Sequence, residues 1–277
     1  MNKEVEEDDL RRNFITLRKK IWSRRGVKKF DGGRMRRSQL ITLIAVFATL
    51  SIVCDSIVGI PQLASGVWYG WIFLISPIAG IVLGPYAGFI STLIGVMAGH
   101  SIYLRGEAPM YEFLFTLGAP IGTMFSGLMF RGRWKSVLTY FSLLLGAYFL
   151  TPVSWKLPLW GLWDVYLAFI VLCILVLMSN MWGVRSGKMW RSPYIYGFCA
   201  LIGLEADILF RIFVLIPGQT YRLFYGFTPE ILGVIWAASA LVTPIQVGIA
   251  ILMTVFIGPM LVRTLSLKGW FTKKDDS

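Results

Sequence analysis

The chain has 277 residues, of which 56% are hydrophobic and 15% charged, and its mean hydropathy is +0.66. This excludes an ordinary soluble domain and indicates a polytopic membrane protein, because so much apolar surface is stable mainly in contact with lipid. The formal charge of +12 would suit nucleic acid. The basic residues stand beside apolar runs, however, and not among base-stacking aromatics, so we expect no nucleic acid partner.

The first 37 residues form a segment that precedes every apolar run. An acidic patch from Glu4 to Asp9 is followed by a basic run in which apolar residues recur at near-helical spacing. The pattern is typical of an amphipathic helix lying on anionic lipid, or of a disordered tail that only sets the orientation of the protein. Both interpretations stay open. No apolar core precedes Ser38, so we do not expect a cleavable signal peptide.

Eight apolar runs follow that are long enough, or nearly so, to cross a bilayer core, which needs about 20 helical residues. These spans are predicted at Ser38–Ile60, Val67–Leu83, Tyr86–Leu104, Tyr111–Phe130, Trp134–Leu150, Leu159–Trp182, Pro193–Ile216 and Phe227–Val262. The last run exceeds one span. We expect a separate short or interfacial helix from Phe227 to Ala240 and a break at Thr243-Pro244, because proline removes a backbone donor. The sequence therefore predicts an all-α membrane helical bundle of about eight helices over residues 38–264, with a tail at 265–277.

Basic clusters between the runs predict the orientation of the bundle. If the N-terminus is cytoplasmic and eight spans follow, every cluster lies in the cytoplasm, as the positive-inside rule requires. We therefore expect a multi-pass protein of the cell membrane with both termini cytoplasmic. The opposite, outer loops are rich in aromatic residues, which is typical of an interfacial belt or of a binding site.

Small residues recur at steps of three or four in the third and fourth spans, where they would let other helices approach closely. We interpret six glycines as helix-packing residues: Gly84, Gly88, Gly95, Gly99, Gly118 and Gly122.

Ionisable residues inside apolar runs are costly and usually functional. Asp207 and Arg211 are four residues apart, so they can form an ion pair on one helix face, whereas Glu205 lies on a different face and needs another partner. The Asp207–Arg211 pair could tie helices together or contact a ligand. His100, the only histidine, is interpreted either as a satisfied core residue or as a ligand contact. Asp55 and Asp164 could simply face water at the outer boundary.

Three stretches resemble one family. The run PIAGIVLGPYAGFISTLIGVMAGH is similar to the second and third helices of the S components of energy-coupling factor (ECF) importers, where a short helix ends in Gly-Pro and a glycine-rich helix follows. The run LGVIWAASALVTPIQVGIAILMTVFIGPMLVRTL resembles the closing helix of that family, and IAVFATLSIV fits its first helix. S components typically have six membrane helices, so the resemblance implies an extra pair around Trp134 to Trp182.

The resemblance implies transport without chemistry. An S component captures a small solute such as a vitamin from the outside, then associates with a transmembrane coupling subunit and cytoplasmic ATPases. The alanine pair with which such proteins contact the coupling subunit corresponds to Ala45 and Ala48, or to Ala45 and Thr49 with a substitution. Where relatives often carry an aspartate at the end of the glycine-rich helix, this chain has His100.

A solute pocket of this kind needs aromatic walls and a few convergent polar groups. The candidate ligand-binding residues are Asp55, Trp68, Tyr69, His100, Tyr103, Glu112, Glu205, Asp207 and Arg211.

Catalytic and nucleotide-binding motifs are absent from the sequence. Without a GxxxxGK[ST] loop, any ATP use belongs to partners, and without GxSxG, HExxH or a second histidine we expect no enzyme, no cofactor and no metal site. Two other functions stay open. One is a self-sufficient secondary transporter that uses buried carboxylates, and the other is a membrane scaffold with the N-terminal segment as its effector.

Overall fold

The described part of the chain folds into helices. The computed structural model describes residues 35–57, 59, 70–102, 109–181 and 193–267, and these contain α-helices and short 3₁₀ turns but no strand. The α-helices are α1 (Arg37–Ser56), α2 (Ser76–Leu83), α3 (Pro85–Ile102), α4 (Pro109–Thr116), α5 (Gly118–Phe130), α6 (Trp134–Leu150), α7 (Trp163–Met181), α8 (Pro193–Leu215), α9 (Thr220–Leu223) and α10 (Pro229–Leu267). The 3₁₀ turns are Ile72–Leu74, Pro152–Lys156 and Leu159–Leu162. The predicted all-α class is confirmed.

Four stretches of the described residues are long and apolar enough to cross a membrane. They are Arg37–Ser56, Phe113–Phe130, Leu159–Met178 and Pro229–Leu267, and two shorter apolar stretches are Ile72–Leu83 and Trp134–Leu150. These lengths indicate a membrane protein. The predicted amphipathic or disordered segment falls on residues 1–37, of which 1–34 lie outside the described residues, as do residues 268–277 of the tail.

The predicted break at Thr243-Pro244 is wrong, because α10 is one helix of 39 residues with Pro244 and Pro259 inside it. Proline at position 244 cannot donate a hydrogen bond to the carbonyl of Ala240, four residues earlier. That carbonyl instead accepts a hydrogen bond from the indole Nε1 of Trp163, at 2.9 Å. A side chain from α7 thus supplies the missing donor, which is how prolines are tolerated within membrane helices.

The predicted fourth span is divided into two helices at Leu117. Pro120 lies in the first turn of α5, where its lack of an N–H costs nothing, but it cannot donate to the carbonyl of Thr116. The backbone N–H of Leu117 donates to the carbonyl of Leu114 at 3.3 Å, which tightens the end of α4. The two helices therefore meet at Leu117, beside the cavity described below.

Helix α5 lies at the centre of the bundle and packs on α8, α2 and α3. Its contact with α2 is backbone to backbone. A Cβ added to Gly127 would lie 2.6 Å from the carbonyl oxygen of Gly80 and 2.7 Å from the nitrogen of Pro85. Glycine is needed here because any larger residue would force the two helices apart.

Two of the predicted packing glycines hold α3 in place. An added Cβ at Gly95 would meet Ser51 and, at 2.8 Å, the carbonyl oxygen of Ala48, both on α1. Gly84 has a φ of +88°, so it forms the left-handed turn that joins α2 to α3. Gly95 therefore allows α3 to pack closely on α1, and Gly84 forms the turn between α2 and α3.

Candidate functional site

A cavity of about 320 Å³ opens among the helices. Its walls come from the C-terminal ends of α1, α3 and α8, the start of α5, and the first half of α10. Apolar side chains form most of the lining, and five of its residues are aromatic: Phe73, Phe115, Tyr225, Phe227 and Trp236. The size and the lining are those of a site for a small organic molecule.

The first set of polar side chains in the cavity consists of Asp55, His100 and Thr116, which connect three helices by hydrogen bonds. Asp55 at the end of α1 is 3% exposed, and its Oδ2 lies 2.8 Å from Nδ1 of His100 at the end of α3. The other ring nitrogen of His100, Nε2, lies 2.9 Å from the hydroxyl of Thr116 at the end of α4. Both nitrogens of the imidazole are engaged, so the ring has a fixed orientation at the cavity wall.

The second polar group lies on α8. Arg211 donates two hydrogen bonds to Asp207, from Nε to Oδ1 at 2.6 Å and from Nη2 to Oδ2 at 3.2 Å. This is the ion pair that the four-residue spacing predicts, and both residues line the cavity. The side chain of Arg211 is 38% exposed and that of Asp207 is 11% exposed, so the guanidinium is the more accessible partner.

Glycines on neighbouring helices make room for the carboxylates of Asp55 and Asp207. A Cβ added to Gly99 would lie 2.7 Å from Oδ2 of Asp55. One added to Gly118 would meet Oδ1 of Asp207 and would lie 3.0 Å from Nε of Arg211. These two glycines therefore face ionisable side chains, in addition to the packing role predicted for them. Gly122 combines the two roles, because its added carbon would lie 2.6 Å from the backbone of Gly203 and 3.0 Å from Cβ of Asp207.

Helix α10 contributes the remaining polar side chains of the cavity, namely Ser239, Thr243 and Gln246. The Thr243 hydroxyl lies very close to Oδ2 of Asp164, whose Oδ1 accepts from the backbone N–H of Val165. Asp164 is 5% exposed. The interpretation that Asp55 and Asp164 simply face water is therefore wrong, since each is buried and hydrogen-bonded between helices.

Glu205 is separate from the cavity. It lies on a different face of α8 from Asp207, as its sequence position predicts, and it is not among the cavity-lining residues. Its side chain is completely buried, and neither carboxyl oxygen has a hydrogen-bond partner among the described residues. The carboxylates of Asp164 and Asp207 both lie within Coulombic range of it. An unpaired carboxyl in such a place is costly, which argues for a specific role.

The two predicted docking pairs on α1 are distinguished by burial. Ala45 and Thr49 are exposed on the same face of the helix, where the hydroxyl of Thr49 donates to the carbonyl of Ala45 at 3.0 Å. Ala48 is buried against α3, where its carbonyl faces Gly95. Only the pair of Ala45 and Thr49 is accessible to another protein.

Four candidate residues are not placed by the structure. Trp68, Tyr69 and Tyr103 lie outside the described residues, and the side chain of Glu112 does so too. Of the nine candidates, the structure brings together Asp55, His100, Asp207 and Arg211. It keeps Glu205 apart.

Several cavity residues were missed by sequence reasoning. Thr116 carries no distinctive motif, and Phe73, Phe115 and Trp236 look like ordinary apolar residues of membrane helices. Of these cavity residues, only Gln246 has a feature by which the sequence could have identified it. It is an uncharged amide within an apolar run, and polar residues inside spans are unusual.

Among the described residues, no group of three or more His, Cys, Asp or Glu residues is placed to hold a metal ion. Comparison of the chain with protein family models, with curated proteins and with solved structures finds no match. Function is therefore inferred from the cavity itself.

Proposed function

We propose that this protein is a membrane-embedded solute-binding subunit of the S-component type, which captures a small solute for an ECF importer. The observation that carries the proposal is the cavity of about 320 Å³, whose apolar and aromatic walls hold the Asp207–Arg211 ion pair and the hydrogen-bonded Asp55–His100 pair in fixed orientations. Such walls bury the body of a solute, and the fixed polar groups select it. Gly99 and Gly118 leave room for the carboxylates of Asp55 and Asp207, which keeps the cavity open.

The proposal includes the orientation of the bundle. Most residues of the cavity come from the ends of α1, α3 and α8, the start of α5 and the first half of α10. In an eight-span topology with both termini in the cytoplasm, the ends of α1, α3 and α8 and the start of α10 are on the outer side of the cell membrane. The positive-inside pattern and the position of the cavity thus support the same orientation, with a site that opens toward the outside.

The proposed partners are a transmembrane coupling subunit and cytoplasmic ATPases. The exposed face of α1 supports this part, because it combines Ala45 and Thr49 with large apolar residues such as Ile41, which is 66% exposed. Small residues among larger ones allow close helix contact in lipid. Replacing Ala45 with tryptophan should abolish copurification of a coupling subunit, whereas Ile90→Trp on the exposed side of α3 should not.

The direct test is to purify the protein from producing cells and to identify small molecules bound to it by native mass spectrometry. We expect one bound molecule per chain. Filling the cavity with Ser239→Trp should remove it, while Ile90→Trp, which adds the same side chain at a 48% exposed position, should retain it. A bound molecule that survives Ser239→Trp in a protein of unchanged thermal stability would place the site elsewhere.

A second function is supported by one observation, the burial of Glu205 without a hydrogen-bond partner among the described residues. Burying a carboxyl in this way is costly, and binding and release of a proton there could drive solute uptake by the chain alone. Reconstitution of the lone protein in liposomes tests this alternative. Uptake driven by a proton gradient, and abolished by Glu205→Gln, would favour a secondary transporter, while binding without uptake would favour the importer subunit.

A further inference from the structure

Glu205 is buried beside other carboxyl groups. Its side chain is completely buried, neither of its carboxyl oxygens has a hydrogen-bond partner in the described part of the chain, and Asp164 and Asp207 lie within Coulombic range. The charge of Asp207 is balanced by Arg211. Neither Asp164 nor Glu205 forms an ion pair with a basic residue that the structure describes. Leaving two buried carboxylates without a compensating charge is strongly unfavourable, so we expect another positive charge to bind there.

The hydroxyl of Thr243 lies between two acceptors. One is Oδ2 of Asp164, and the other is the carbonyl oxygen of Ser239, at 2.8 Å. A threonine hydroxyl has one proton, so it can donate to only one of these two oxygens. The other oxygen faces the hydroxyl without receiving a hydrogen from it. Oxygen lone pairs therefore outnumber donors at this point, as they do around Glu205.

The groups that lack donors come from three neighbouring helices. Asp164 is on α7, Glu205 on α8 and Thr243 on α10, and each of these helices packs on the other two. Thr243 is 6% exposed and is the member of this set that also lines the cavity. A small ion could therefore reach the set from the cavity by way of Thr243.

The atoms of this set determine which kind of ion they suit. The side chains of Asp164, Glu205 and Thr243 offer only oxygen ligands. Carboxylate and hydroxyl oxygens suit hard cations, whereas zinc and copper ions prefer sites with nitrogen or sulfur ligands. Mg²⁺ gives up its bound water reluctantly, so a buried site of this kind suits Na⁺ or Ca²⁺ better.

From these observations we infer that Asp164, Glu205 and Thr243 form a binding site for a hard cation, Na⁺ or Ca²⁺, between α7, α8 and α10. The ion supplies the positive charge that the two carboxylates lack, and the oxygen of Thr243 is a further ligand. No motif marks this site in the sequence, where we expected no metal site, because its residues come from three separate helices. The site is additional to the solute cavity and can be tested without a solute.

The experiment uses the full-length protein in lipid nanodiscs and the ions alone. Thermal unfolding is followed in choline chloride while NaCl or CaCl₂ replaces the choline salt at constant ionic strength. An ion that binds only the folded protein stabilises it. We expect one of the two ions to raise the unfolding temperature by about 5–10 °C when its concentration reaches about 100 times its dissociation constant. The ion that does so identifies the charge that the site takes.

Glu205→Gln should remove the effect of the ion, because the neutral amide no longer attracts a cation. Glu230→Gln makes the same change at an exposed position in the first turn of α10, and it should keep the full effect. If Glu205→Gln does not fold, Thr243→Val removes one ligand from a side chain of nearly the same size. We expect that variant to bind the ion about tenfold more weakly.

Two results would overturn the site. One is an unfolding temperature that neither ion raises, which would mean that protons supply the missing charge, as the secondary-transporter alternative requires. The other is an ion effect that survives in full in Glu205→Gln or, where that variant does not fold, in Thr243→Val. Both results leave the solute-binding function standing, because no solute is present and that function is tested by the molecule that copurifies.

Discussion

The two halves of α5 use glycine in different ways. In the C-terminal half, Gly127 brings the backbone of α5 against that of α2 near Gly80. In the N-terminal half, Gly118 faces the side chains of Asp207 and Arg211. A backbone contact cannot yield without moving a whole helix, whereas a side chain can rotate. The comparison therefore separates glycines that hold the fold from glycines that shape the site.

The largest loss of stability is expected from a substitution at the backbone contact between α5 and α2. Gly127→Ala places a carbon within 3 Å of three backbone atoms of α2 and the turn that follows it. Overpacking of this kind costs about 1–3 kcal/mol, and here we expect about 3 kcal/mol because backbone atoms cannot rotate away. Unfolding of the purified protein in detergent measures the loss. A stability within about 0.5 kcal/mol of the wild type would contradict the close approach of α2 and α5.

A smaller effect is expected for Gly118→Ala, because the added carbon meets side-chain atoms of Asp207 and Arg211. Disturbing their charge-assisted hydrogen bonds should cost about 1.5 kcal/mol. The matched control repeats the substitution in an Asp207→Ala/Arg211→Ala background, where the added carbon has room. We expect almost no cost there. An equal cost in both backgrounds would show that Gly118 serves backbone packing instead.

Gly99→Ala should have a weaker effect of the same kind. Its added carbon would lie 2.7 Å from Oδ2 of Asp55, the atom that is bonded to His100. We expect a loss of about 1 kcal/mol, the usual net value of one hydrogen bond. In the nuclear magnetic resonance spectrum, the imidazole signals of His100, the only histidine, should shift. Unchanged signals would mean that Asp55 and His100 keep their contact.

Gly146→Ala in α6 is expected to change the free energy of unfolding least, and to increase it. A carbon added there meets no described atom within 4 Å. Alanine is preferred to glycine inside a helix by roughly 0.5–1 kcal/mol, so the protein should become slightly more stable. This variant is also the control for the three above, since it makes the same chemical change without a contact. A loss of stability would indicate a neighbour on that face of α6.

Local features of the site could be predicted from the sequence. The Asp207–Arg211 pair follows from helical periodicity alone, and the glycine strip of the third span follows from the spacing of small residues. The separation of Glu205 from Asp207 follows in the same way, because the two residues are two positions apart on one helix.

Contacts between distant segments could not be predicted in this way. Asp55 and His100 are 45 positions apart, and Asp164 and Thr243 are 79 apart, so their pairing depends on how the helices are arranged. The continuity of α10 was missed for the same reason. A proline within an apolar run predicts a break, and only the position of Trp163 reveals the donor that replaces its N–H.

The hydrogen bond between Trp163 and Ala240 attaches α10, a long continuous helix, to α7 at one point. Its first half carries Trp236, Thr243 and Gln246 in the wall of the cavity, and its last residue, Leu267, lies 21 positions beyond Gln246, or about 30 Å along an α-helix. If a bound molecule tilted this wall, the continuous helix would carry the tilt to its far end. Trp163, which attaches Ala240 to α7, would be the fixed point of such a tilt.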